Sequence, residues 1–145
     1  AAVFAAQQVR ETRRTREAQV SVELLRRWNE DPLVEARRMV GRFKSPDELR
    51  DAFATYVATN AREAYVMYRE LDFFEQLAAL ERQGAVDLEL IELLLGRTLV
   101  DRWVLWEPAS RAAHGPAVYP LFRDLVARLS RGPVSALERA PDPDG

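Results

Sequence analysis

The chain has no cysteine, a single lysine and a single histidine in 145 residues. Without cysteine there is neither a disulfide nor a thiolate metal site, and cysteine pairing says nothing about compartment. With His114 alone, a multi-histidine metal centre is excluded, and a histidine acid–base pair has one candidate, in an AAHGP loop where an exposed neutral ring is expected. Walker A, GxGxxG, GxSxG and HExxH patterns are all missing. No stretch alternates apolar and polar residues between turn signals, so no sheet is expected. A formal net charge of -2 argues against a nucleic-acid partner. Taken together, these absences imply no catalytic residue, cofactor, metal or small-molecule substrate, and the chain is read as no enzyme.

What is present is 48% hydrophobic and 30% charged residues, the composition of one globular domain with a real core. Lys44 stands among arginines in an alanine-rich chain, a codon-usage signature of a GC-rich bacterial genome.

The densest apolar stretch runs from Glu63 to Trp106, divided by Gly84. On a helical wheel Val66, Phe73, Leu77 and Leu80 fall within roughly 40° of one another, and Met67, Leu71, Phe74 and Ala78 widen the arc. An arc that wide needs neighbours on two sides, which marks this helix as the core helix. Glu63, Glu70 and Glu81 project into the arc. A carboxylate so placed must find a cation or take up a proton, and Arg97 and Arg102 are the candidates to pair with Glu70 as a structural ion pair. Asp72 and Glu75 fall outside the arc and read as solvated surface. Gly84 is a natural helix stop and Asp87 a cap for an antiparallel second half. That half is apolar almost all round through Leu88 to Trp106, so burial is expected, with self-association if part stays uncovered. It is too short and too charged to span a bilayer. Phe73, Phe74, Trp103 and Trp106 are expected in the core or an interface. Trp28, Trp103 and Trp106 could alternatively line a cleft, but helical spacing favours the core.

The chain opens on AAVFAA followed by QQVRETRRTREAQ. Two readings compete: a trimmed protein with a solvated helix, or the cytoplasmic end of a membrane anchor. Arg10, Arg13, Arg14 and Arg16 favour the second, because positive charge beside a membrane fixes the cytoplasmic side and suits anionic lipid. An amphipathic pattern follows from Gln19 to Trp28. Asp31-Pro32 starts a second helix, with Asp31 or Asn29 as its cap, ending near Gly41. Ser45-Pro46-Asp47-Glu48 is a capping box for a third. A short break near Asn60 leads into the core helix. EPASRAAHGP after Trp106 reads as a loop with a helical turn, and Pro116 to Leu129 as the last helix. Residues 132–145 lack apolar mass and read as a disordered tail. The organisation expected is 1–19 an anchor end and arginine-rich connector, and 20–131 an all-α antiparallel bundle of about five to six helices with a long, partly exposed first helix.

Phe73-Phe74-Glu75 with Leu77, Leu80, Gly84, Asp87, Leu95-Gly96 and Trp103 resembles a family of small bacterial proteins known only as a domain of unknown function. The resemblance runs from the connector to Phe122. It implies an N-terminal transmembrane helix, a polar helical connector and an all-helical cytoplasmic domain, and it brings no activity or catalytic residues. The function expected is a membrane-tethered helical interaction or regulatory module at the cytoplasmic face of the inner membrane, with a protein partner or self-association. The alternative is a soluble helical adaptor that forms a homo-oligomer. An enzyme using Glu70 with an arginine is the remote third.

Overall fold

The computed structural model describes residues 1–132, and the expected disordered tail lies outside them from residue 133 onward. Six helices make up the described residues: α1 (Ala2–Trp28), α2 (Asp31–Val40), α3 (Pro46–Ala58), α4 (Arg62–Arg82), α5 (Leu88–His114) and α6 (Pro120–Leu129). The described residues contain no strand. The all-α bundle expected from the sequence is what forms.

α4 is the core helix. It buries Val66, Met67, Leu71, Phe73, Phe74 and Leu77 between α2 on one side and α6 on the other. Its end is set locally. Gly84 takes φ 73°, the Ala85 N–H reaches the Leu80 carbonyl at 2.9 Å and the Gly84 N–H reaches the Glu81 carbonyl at 2.9 Å. This is the Schellman arrangement that a residue without a Cβ allows. Asp87 then caps α5 by accepting the Glu89 N–H at 3.1 Å.

The two halves run antiparallel, since Tyr68 near the start of α4 meets His114 at the end of α5. They are not nearest neighbours, however. The closest backbone approach of α5 is to α3 and then α6. Large side chains, Phe74, Trp106 and Phe122 among them, fill the space between; Trp106 stands edge-on to Phe53 at 5.2 Å and Phe74 lies 4.8 Å from Phe122. Trp103 is only half-buried, edge-on to Phe122 at 5.1 Å.

Four local expectations are corrected. Residues 107–114 are not a loop: α5 continues through Pro108 to His114. Proline removes one backbone bond, but Ala109 and Ser110 are buried and Glu107 pairs with Arg111, so packing and a local ion pair hold the helix. The cap position of α2 is Glu30, with Asp31 and Pro32 inside the first turn. Asn29 instead closes α1, its side-chain amide donating to the Leu25 carbonyl at 2.9 Å. The apolar face of α5 is also not fully buried, because Leu93, Leu94 and Val104 remain exposed. The capping box at Ser45 forms in modified shape: Ser45 accepts the Glu48 N–H at 3.2 Å, and Glu48 accepts the Lys44 N–H at 2.8 Å.

α1 is one unbroken helix across the change of pattern at Gln19. It buries only Leu24 and Trp28, and every residue from 1 to 16 is exposed. The Arg27 guanidinium donates to Gln76 and Trp28 stacks on Phe73 at 5.2 Å, while Arg13 reaches the Gly84 turn. α1 therefore runs antiparallel to α4, and its first twelve residues, about 18 Å of helix at 1.5 Å per residue, project beyond the bundle.

Candidate functional site

Three features concentrate charge or exposed apolar surface. The first is buried. Glu70 sits on the inward face of α4 with no accessible surface. Of the two arginines expected near it, the structure selects Arg102, whose Nε stands 2.9 Å from Glu70 Oε1. Arg97 does not take that place. It lies on the outer face of α5, 3.8 Å from Asp101.

The Glu70 pair is close but poorly aligned. Neither Glu70 oxygen accepts a hydrogen bond of good geometry, and the buried indole N–H of Trp106, although near enough to ease ionisation, is also off line. Burial therefore dominates. It pushes the Glu70 carboxyl up to about 7, against the opposing pull of Arg102, Trp106 and Arg37.

Arg37 is a member of this cluster that sequence reasoning misses. Its guanidinium lies over the Trp28 ring at 4.0 Å, and its backbone carbonyl accepts from Arg102 Nη2 at 3.1 Å. Burial lowers its pKa and Glu70 partly restores it. Its signal in the sequence is weak: Arg37 follows Ala36 at the edge of the Leu33, Ala36, Val40 stripe, a position that packing of α2 on α4 brings to the core boundary. A second missed pair is Glu81 with Arg128, a two-pronged contact at 2.8 and 2.5 Å that ties α4 to α6 and raises the arginine pKa.

Glu75 is likewise no idle surface charge. Its oxygens accept the Leu121 and Phe122 N–H groups at 3.2 and 2.8 Å. α6 has no side-chain cap of its own at Tyr119, which sits in the left-handed region at φ 50°. A carboxylate from α4 meets the exposed N–H groups and the positive end of the helix dipole. Nearby, Tyr68 hydrogen-bonds His114, and the Tyr119 hydroxyl donates to Asp72 at 3.4 Å. Burial, then Asp72, raises the pKa of both tyrosines. His114 is exposed, as expected, but it ends a helix rather than lying in a loop.

The second feature is the exposed stretch 1–16 of α1, with Arg10, Arg13, Arg14 and Arg16 all exposed; Arg13 pairs with Glu17 at 2.9 Å. The third is the strip on α5 where Leu93 is 81% and Val104 60% exposed. Of the four aromatic residues expected in core or interface, Phe73, Phe74 and Trp106 lie in the core, with Trp103 at its edge.

Among the described residues no cluster of acidic or histidine side chains could hold a metal ion. No helix of the described residues is long and apolar enough to cross a membrane. Neither a curated protein nor a solved structure matches the chain. A family model does match, over residues 1–129, and the chain belongs to that family, described as a domain of unknown function (DUF4760).

Proposed function

We propose that this chain is a helical interaction or regulatory module of a bacterial protein, tethered at the cytoplasmic face of the inner membrane, with no chemistry of its own. The observation that carries the reading is α1: a helix that leaves the bundle bare from residue 1 to 16 and places four arginines along that stretch. That stretch buries no residue, so it is suited to a surface outside the molecule. Each basic residue near an anionic leaflet contributes about 1 kcal/mol. The sealed position of Glu70 supports the non-enzymatic part of the reading, since a group without accessible surface reaches no substrate.

Two measurements test it. The chain as its gene encodes it is expected in the membrane fraction after an alkaline wash; recovery wholly in the supernatant overturns the tether. On vesicles, binding is expected with phosphatidylserine and not with phosphatidylcholine alone, and reversing Arg10, Arg14 and Arg16 to glutamate abolishes it. A soluble adaptor forming a homo-oligomer is the second reading, favoured by the exposed strip on α5.

A further inference from the structure

The outer face of α5 carries Leu90, Leu94, Arg97, Asp101 and Val104, with Leu93 alongside. Their spacings of four, three, four and three residues follow the 3.5-residue repeat of a helix-pairing seam. Leu93, Leu94, Arg97, Asp101 and Val104 are all exposed, and Leu90, half-buried, shares with Leu94 a shallow groove lined by Ser21, Leu24 and Leu25 of α1. The inner face of the same helix is fully used, by Ile91, Leu99, Trp106 and Ala109. Among the described residues, this helix therefore carries two seams, of which the packed helices occupy one.

The order of charges along the outer seam says what fits it. We infer that the occupant is a second copy of this chain, paired α5 against α5 in antiparallel orientation about a twofold axis at residue 99. In that register Leu94 of each copy meets Val104 of the other, and Arg97 meets Asp101 twice. Each apolar side chain faces an apolar one and each charge faces its opposite, the self-complementarity that a twofold interface requires. A parallel pairing would instead stack Arg97 on Arg97 and Asp101 on Asp101, which costs affinity. Within one chain Arg97 and Asp101 stand 3.8 Å apart at an exposed surface, and cross-chain pairing adds a second oppositely charged partner to each.

This inference rests on the interaction reading and names its partner, yet it stands apart from the tether. Because α1 and α5 point the same way, antiparallel pairing carries the two projecting arms to opposite ends of the dimer. Both arms reach one membrane only when the dimer lies flat along it.

Sedimentation of the whole chain across the micromolar range is expected to show a monomer–dimer equilibrium. Arg97→Asp makes the strip doubly acidic and Asp101→Arg makes it doubly basic, so each alone weakens dimerisation by about tenfold or more. An equimolar mixture of the two restores the dimer, as does the double reversal in one chain. Both positions are exposed, and an unchanged circular dichroism spectrum confirms that folding is intact. The absence of native cysteine allows a register test: Leu94→Cys and Val104→Cys are expected to cross-link when mixed and not singly. A wild-type monomer throughout, a dimer indifferent to both reversals, or Leu94→Cys linking to itself would each overturn the pairing. A monomer that still pellets with membranes would remove the pairing and leave the tether standing.

Discussion

Two carboxylates of α4, Glu70 and Glu81, are both drawn into the protein and both meet an arginine from a later helix, but the contacts differ in kind. Glu81 is gripped by Arg128 through two hydrogen bonds at the margin of the bundle, where 11% of its side chain still reaches water. Glu70 is sealed completely, with Arg102 near and misaligned. Proximity alone does not compensate a charge for lost water; directed hydrogen bonds do. The pair at the margin behaves as a clasp between two helices. The inner one holds a carboxyl poised near neutrality.

The sharpest way to separate the pairs is to remove each arginine. Arg102→Met leaves Glu70 buried without its nearest cation, and breaking a buried pair from one side typically costs about 3–5 kcal/mol. Urea unfolding at pH 8 is expected to show a loss of that order. At pH 5, where Glu70 already carries its proton, the loss should be clearly smaller. An equal cost at both pH values would mean that Arg102 acts through packing alone.

The carboxyl itself gives the second test. Its ordinary value is 4.5 and its folded value about 7, so between these the folded state holds a proton that the unfolded state releases. Stability from this group is therefore full below about pH 4.5 and is lost as pH rises through 7. At about 1.36 kcal/mol per unit, the swing is about 3 kcal/mol. Glu70→Gln should flatten the pH dependence of unfolding over that window, read as the difference from wild type. Parallel curves would place the Glu70 titration elsewhere.

The same contrast divides what is legible in the amino-acid sequence from what is not. The arc through Val66, Phe73 and Leu77 locates the core helix, and Glu70 within it identifies a buried acid, because both follow from the period of one helix. The Gly84 turn and the Ser45 cap are legible for the same reason: their hydrogen bonds close within a few residues. The choice of Arg102 over Arg97 is not legible. Both are on α5, and the rotation of that helix is set by its packing on α3 and α6. Arg37 stands 33 positions from Glu70 and Arg128 stands 47 from Glu81, each on another helix, and no local spacing reports such a meeting. Glu75 reads as bare surface because its own wheel position is polar, while its role comes from a helix 46 residues away that lacks a cap. The 107–114 segment reads as a loop because Pro108 within it and Gly115-Pro116 just after it speak locally for one, whereas the burial of Ala109 and Ser110 outweighs them.

Arg128→Met gives the smallest effect of the three and completes the comparison. The arginine is about one third exposed, 31%, and also lies 3.3 Å from Asp124. Loss of charge-assisted hydrogen bonds at a partly wet site is worth about 1–2 kcal/mol once solvent screening is allowed for. Because the clasp joins α4 to α6, the loss should appear first as faster amide exchange in α6, with α3 and α5 unaffected. Uniform acceleration across all helices would show instead that α6 unfolds only with the whole bundle, and that the clasp at the margin is coupled to the sealed pair within.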